Sequence, residues 1–273
     1  MPTDDAATVF AVCINNIRDQ GLKDRLTAAS GLIVAAEDQY RQAGQDKALH
    51  TIPTATAVGD LSVEEMVAVY DQKFVPKREA GRCFYEKLRN GIKGGKCPLC
   101  GQLPAATLDH YLAKTTHPAF AVTPINLVPA CPKCNFVKLA LTPLNDMEHT
   151  LHPYFDDVEK ETWLVGAVDV GAGLAVVFDA QPPDTWDARL ASRLKFHFRT
   201  FKLAELYTVE AASELAGMEG HMAKLRTLAG PDAVRCHLLD AWESRRTYQV
   251  NSWQTAFYKA LADSSWYCEN VGI

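Results

Sequence analysis

Two Cys-x-x-Cys pairs carry the most specific chemistry in this sequence. The first pair is CPLCG, with Cys97 and Cys100, and the second is CPKCN, with Cys131 and Cys134. Each pair can turn two thiolates toward one ion, and four thiolates make the closed tetrahedral site of a structural zinc. The 30-residue spacer is longer than in an ordinary zinc ribbon, so an inserted element must lie between the pairs. The pattern predicts one structural zinc bound by all four cysteines.

The insert and the residue after it add groups that suit phosphodiester hydrolysis. Asp109 and His110 are adjacent, Asn126 follows, and Asn135 comes directly after the last cysteine. A neutral imidazole can take a proton from water near neutral pH. Carboxylate and amide oxygens suit a hard cation such as Mg²⁺. Adjacent side chains on a strand point to opposite sides, so we expect a twist or bulge there, or a metal at the strand's edge.

Together these segments resemble the HNH endonuclease family, whose ββα-metal fold is often embraced by two zinc knuckles. The segments that carry the resemblance are CPLCG, LDHYLAK, INLVPACPKCNFVK and HPYFD, from about Cys97 to Asp156. Asp-His, Asn and the CN..K ending occur in the family's order between paired cysteines. One departure is Ala113, which stands where family members often have proline.

The resemblance assigns a role to each polar residue. It implies that His110 is the general base and that Asp109 is a ligand of a catalytic divalent cation. Asn135 would be the second protein ligand, and an asparagine at this position is usually linked to one Mg²⁺. Asn126 would tie the hairpin loop together by hydrogen bonds. Lys138, one helical turn beyond Asn135, could contact phosphate, but we expect an ordinary solvated lysine.

Composition sets wider limits on the protein. The 273 residues carry a formal net charge of -5, with 48% hydrophobic and 22% charged residues, as in ordinary soluble proteins. We expect no membrane span, because no run of about 18 apolar residues occurs. The acidic start, MPTDDAATVF, lacks the cations of a signal peptide, so we expect a cytoplasmic protein with its other four cysteines reduced. A basic block from Lys73 to Lys96 either covers phosphates or forms a solvated helix face.

The remaining pattern predicts an α+β protein that is mostly helical. Two helices are expected before Ala43, with a break near Gly21, and residues 44–60 are expected to form a loop. Further predicted features are a capping box at Ser62 and Glu65, a helix ending near Gly91, short strands in TLDHYL and NLVPA, a helix from Pro132 ending before Pro143, a hairpin from Trp163 to Ala180, helix caps at Asp184 and Ser252, and a break at Gly230-Pro231.

These features divide the chain into three predicted regions. Residues 1–92 form an N-terminal helical region, residues 93–158 an HNH ββα-metal core with its zinc knuckles, and residues 159–273 a β-hairpin followed by a C-terminal helical region. The aromatic residues near the C-terminus are expected to pack in a helical core. His152 is expected to pack or bond within the domain, and His117 to be a loop residue.

The sequence leads to one main functional hypothesis and two alternatives. The main hypothesis is a metal-dependent HNH endonuclease that hydrolyses DNA, with structural Zn²⁺ and a catalytic Mg²⁺ or similar cation. One alternative is a non-catalytic zinc-ribbon module that binds nucleic acid or protein. The other is a nuclease subunit that is silent until an ATPase partner engages it. Size and layout alone suggest this last arrangement, by analogy with HNH proteins that occur beside ATPases in bacterial anti-phage defence.

Overall fold

The computed structural model describes residues 1–139, 145 and 147–272, without the side chains of Lys93 and Leu139. Contacts divide the chain into two compact units. The first unit comprises Met1–Asp146 and His152–Asp156, and the second comprises Met147–Leu151 and Asp157–Ile273. The N-terminal helical region and nearly all of the predicted ββα core thus belong to one unit. Pro143, predicted to follow a helix, lies outside the described residues.

The first unit is mostly helical and contains two small antiparallel sheets. Its main elements are α1 (Ala6–Ile14), α2 (Gln20–Ala28), α3 (Ser30–Gln45), β1 (Ala57–Val58), β2 (Leu61–Ser62), α4 (Val63–Val69), α5 (Arg82–Asn90), β3 (Thr107–His110), β4 (Leu127–Ala130) and α6 (Pro132–Leu139). A π-helical turn, Tyr70–Phe74, extends α4, and short 3-10 turns occupy Leu49–Thr51, Lys93–Gly95, Pro118–Phe120 and Pro124–Asn126.

Two predictions about the N-terminal part are wrong. Three helices replace the expected two, because the Asp19 side chain accepts a hydrogen bond from the Leu22 amide and starts α2 before Gly21. The break therefore precedes Gly21, which lies inside the helix. The segment expected to be a loop, residues 44–60, contains a 3-10 turn and strand β1.

The predicted capping box and the two strands around the Asp-His pair are confirmed. Ser62 and Glu65 exchange the reciprocal bonds that begin α4. Strands β3 and β4 are antiparallel, with Asp109 opposite Val128 and His110 opposite Leu127. Every residue of β4 is buried, and both strands contribute to the apolar core of the helices, which includes Phe10, Ile33, Phe74, Leu108 and Leu127. This core fixes the position of the Asp-His strand.

In its described residues, the second unit forms a hairpin and four helices. Strands β5 (Leu164–Asp169) and β6 (Ala175–Ala180) form the predicted hairpin, followed by α7 (Ala188–Thr200), α8 (Leu203–Tyr248), α9 (Trp253–Asp263) and α10 (Ser265–Asn270). Gly230 interrupts α8 with φ 86°, as its pairing with Pro231 predicts. Ser252 caps α9 as predicted. The predicted cap at Asp184 is wrong, because Asp187 accepts the Leu190 amide at 2.8 Å and starts α7.

Two further expectations concern the C-terminal aromatics and the membrane. Trp253, Phe257 and Tyr267 are buried, as expected of core residues, whereas Trp266 is exposed. Among the described residues, no helix has both the length and the apolar character that crossing a bilayer requires.

Candidate metal centre and the adjoining ββα site

The four paired cysteines form one buried cluster. The Sγ atoms of Cys97, Cys100, Cys131 and Cys134 all lie within 4.8 Å of one another. Zn–S bonds of about 2.3 Å in a tetrahedron place sulfurs about 3.8 Å apart, so small movements complete such a site. The cluster can bind a metal ion such as zinc.

Local backbone geometry explains how each pair turns its sulfurs inward. The Gly101 amide donates to the Cys97 carbonyl at 2.7 Å, and Gly101 has φ 63°, a region that glycine adopts without strain. In the second pair, the Cys134 amide donates to Cys131 Sγ at 3.4 Å. Pro132 occupies the first position of α6, where its missing amide proton costs nothing. The second pair therefore joins the end of β4 to the start of α6.

Asp109 lies on the side of β3 that faces α6. Its side chain is only 4% exposed, and its Oδ2 atom lies 3.1 Å from Lys138 Nζ. This contact is an ion pair without hydrogen-bond geometry, since Oδ2 makes no hydrogen bond among the described residues. Burial raises the pKa of Asp109, and the Lys138 ammonium opposes that effect. A cation beside the carboxylate thus favours its charged form.

Lys138 supplies that cation, so our expectation of a solvated lysine is wrong. Only 10% of its side chain is exposed. Its ammonium donates to the His110 carbonyl at 2.9 Å and to the Tyr111 carbonyl at 2.7 Å, besides the contact with Asp109. The physical reason is that α6 runs along β3. The Lys138 side chain, one helical turn beyond Asn135, therefore points toward the end of that strand.

His110 points away from Asp109, as adjacent strand residues do. Its Nε2 donates to the Ala121 carbonyl at 2.8 Å, and its ring packs edge-on against Tyr70 with centroids 4.4 Å apart. Because Nε2 carries the proton, Nδ1 carries the lone pair. Burial lowers the pKa of His110 to about 3, so the ring is neutral at physiological pH. Neutrality is the state that a general base requires.

Asn126 closes the loop between β3 and β4. Its Oδ1 accepts the Leu112 amide at 2.7 Å, while Nδ2 donates to the carbonyls of Leu112 at 3.0 Å and Phe120 at 3.2 Å. Its own carbonyl accepts the Tyr111 amide at 2.8 Å. The residue is fully buried. These bonds hold the turn that immediately follows His110.

We expect Asn126→Ala to lower the free energy of unfolding by roughly 2–4 kcal/mol, because it leaves buried backbone groups without partners. Urea unfolding of the two proteins measures the difference. Asn16→Ala is the matched control, since Asn16 is exposed in the same unit and its replacement should change stability by less than about 0.5 kcal/mol. Equal effects of the two substitutions would contradict this role for Asn126.

Asn135 ties the first turn of α6 to the strands. Its Nδ2 donates to Thr107 Oγ1 at 3.1 Å, and Thr107 Oγ1 in turn donates to the Ala130 carbonyl at 3.0 Å. Thr107 and Asp109 share one face of β3, about 6.7 Å apart along the strand. Asn135 therefore faces the side of β3 that carries Asp109, and this bond leaves its Oδ1 uncommitted. Its role as a metal ligand stays a prediction.

The segment HPYFD packs beside β4 within the first unit. Tyr154 donates its hydroxyl to the Leu127 carbonyl at 3.0 Å. The His152 ring lies 4.1 Å from the Tyr111 ring, and its Nε2 is 3.0 Å from the Tyr40 hydroxyl. His152 thus packs and bonds inside the unit as predicted. His117, the expected loop residue, donates from Nε2 to the Ile52 carbonyl at 3.2 Å.

Four of the eight basic residues in the block form ion pairs within the chain. Lys73 pairs with Glu79 at 3.3 Å and Lys87 with Asp4 at 2.8 Å. Arg82 and Arg89 both pair with Glu86. These pairs reduce the positive charge that a phosphate would meet, so any contact with nucleic acid here stays a prediction.

Comparison with known proteins finds a sequence relative. Protein ea31 of Escherichia phage lambda is 30% identical over an alignment of 191 residues, and the match covers 66% of this chain and 64% of that protein. The chain thus matches less than two thirds of that relative's length. The relative's name states no activity. No family model matches the chain, and no solved structure matches it.

Proposed function

We propose that this chain is a metal-dependent HNH endonuclease that hydrolyses phosphodiester bonds of DNA. The observation that supports this most is the order and packing of β3, β4 and α6 beside the four-cysteine cluster. Asp109 and His110 lie at the end of β3, and Asn135 lies in the first turn of α6. DNA is the proposed partner, and an ATPase partner in anti-phage defence stays a prediction from size and layout.

In this proposal the chain's own residues divide the work between them. His110 accepts a proton from the attacking water at Nδ1, since Nε2 is committed to the Ala121 carbonyl. Asp109 and Asn135 would hold the divalent cation, and a buried carboxylate oxygen without a hydrogen bond fits a hard ion. When bound, that ion neutralises charge on the scissile phosphate. The four cysteines would hold zinc and fix the start of α6.

One observation favours the alternative of a non-catalytic zinc module that binds nucleic acid or protein. The Lys138 ammonium already compensates the buried Asp109 carboxylate, so this carboxylate does not need a metal to be stable. In that case the Asp-His strand serves only the fold. Cleavage activity distinguishes the two functions.

A plasmid assay tests the proposal directly. We expect the zinc-loaded protein to convert supercoiled plasmid to nicked or linear DNA when Mg²⁺ or Mn²⁺ is supplied, and to leave it intact when these ions are omitted. Omission is preferable to a chelator, because a chelator would also remove zinc. DNA binding without cleavage under either ion would contradict the nuclease proposal for the isolated chain and favour the zinc module.

A further inference from the structure

Lys138 is held by three oxygen atoms from three consecutive residues. Its Nζ lies 3.1 Å from Asp109 Oδ2, 2.9 Å from the His110 carbonyl and 2.7 Å from the Tyr111 carbonyl. Two of the three ammonium protons are donated to the carbonyls, and the charge of the ammonium faces the Asp109 carboxylate. The Tyr111 ring lies 4.9 Å from the same nitrogen and adds a cation–π contact.

The three oxygens converge at the end of β3, beyond which its pairing with β4 stops. One carboxylate and two backbone carbonyls form a donor set that hard divalent cations prefer. Both side chains of the ion pair are nearly buried, with 10% of Lys138 and 4% of Asp109 exposed. A positive charge at this point is therefore part of the fold, and the chain supplies it from α6.

We propose that Lys138 is a built-in cation that occupies the cation position beside Asp109, and that removing its ammonium turns the three oxygens into a divalent-cation site. In the wild-type protein an ion must displace the ammonium before it reaches Asp109. This inference rests on the proposed function only where it makes Lys138 a competitor of the catalytic ion. The competition itself requires no cleavage.

The reason for the competition is the cost of a buried, uncompensated charge. Without Lys138, Asp109 and two carbonyls lose their common partner, and removing one member of a buried ion pair is strongly destabilising. A divalent cation can restore the lost attraction with the same oxygens. Binding to the folded state alone then raises stability in proportion to the logarithm of the ion concentration.

The test is Lys138→Met, which keeps an apolar side chain and removes the charge, in the full zinc-loaded chain. Without added Mn²⁺ or other free divalent ions, we expect its Tm to fall by about 6–20 °C. Mn²⁺ at about 100 times its Kd should return about 5–11 °C of that loss. The Mn²⁺ Kd, read from the loss of the free-ion EPR signal, should be at least ~10-fold lower than in wild type.

Three further variants make the result specific. Lys73→Met removes another ion-paired lysine of the same unit and should give no gain in Mn²⁺ affinity. The double variant Asp109→Asn/Lys138→Met removes both partners, so it should be more stable than Lys138→Met alone and indifferent to Mn²⁺. Lys138→Gln, whose amide can still donate to a carbonyl, should show the same gain in Mn²⁺ affinity. It serves as the test protein if Lys138→Met folds poorly.

A Mn²⁺ affinity that stays at the wild-type value in both Lys138→Met and Lys138→Gln would overturn the inference. A loss of Tm that Mn²⁺ does not recover would overturn it as well, because Asp109 would then be neutralised without a cation. None of these readouts uses cleavage. A protein that fails to cut plasmid can therefore still gain Mn²⁺ affinity when Lys138 is replaced. A protein that cuts plasmid can fail to gain it.

Discussion

Cys134→Ala should release the zinc and unfold the segment formed by β3, β4 and α6. Strands β3 and β4 form a two-stranded sheet of four residues each, and α6 has eight residues. A helix this short and a hairpin this small are marginal on their own in water. Structural zinc contributes roughly 10–16 kcal/mol of folding free energy in small zinc peptides. The cluster is therefore expected to be the main local support of the candidate site.

Elemental analysis of the wild-type protein, purified without chelator, should give one zinc per chain. Thermal unfolding should show a large loss of Tm for Cys134→Ala and for chelator-treated wild type. Cys83→Ala is the matched control, since Cys83 is an exposed free thiol of the same unit, and it should keep both zinc and Tm. Wild-type protein that contains no zinc and has the same Tm as zinc-loaded protein would disprove the metal centre. A disulfide within either cysteine pair would disprove it as well.

Local sequence patterns were sufficient for the elements that short-range chemistry defines. The cysteine pairs, the capping box at Ser62, the strands around Asp109 and the break at Gly230 each depend on residues within a few positions of one another. Proline and glycine restrict the backbone wherever they occur, and a hydrophobic strand pattern repeats every second residue. Such signals do not depend on how distant segments pack.

Predictions failed where a residue's surroundings come from distant segments. Residue types around Lys138 do not by themselves show that α6 runs along β3 and points the lysine at Asp109. Thr107 and Tyr70 were also missed, although they contact Asn135 and His110 respectively. One signal was available for Lys138: it lies three positions after Asn135, so both must share a helix face. If that face of α6 contacts β3 at Asn135, it also contacts β3 at Lys138.

The caps at Asp19 and Asp187 were missed for a different reason. Aspartates occur near several helix starts in this chain. The backbone angles before each helix determine which aspartate's carboxylate can accept a hydrogen bond from the amide three residues later. At Asp187 the preceding turn, in which the Trp186 amide donates to the Pro183 carbonyl, delays the helix by three residues relative to Asp184. Residue type alone does not distinguish these positions.

The surroundings of His110 determine how its role must be tested. The ring packs against Tyr70 and bonds to the Ala121 carbonyl, so His110→Ala removes packing and a hydrogen bond together with the proposed base. The alanine variant should therefore lose about 1–3 kcal/mol of stability as well as activity. A second variant is needed that preserves the bond to Ala121 and cannot accept a proton.

His110→Gln meets this requirement, because a glutamine amide can donate to the Ala121 carbonyl but is not a base at neutral pH. Both His110→Ala and His110→Gln should cleave plasmid about 10²–10⁴-fold more slowly than wild type, which is the usual loss when a general base is removed. Both should retain one zinc per chain, since His110 lies outside the cysteine cluster. His117→Ala removes a loop histidine of the same unit and should cut at the wild-type rate. Wild-type cleavage by His110→Gln would show that the imidazole does not take the proton, and the base would then have to be sought elsewhere around the end of β3.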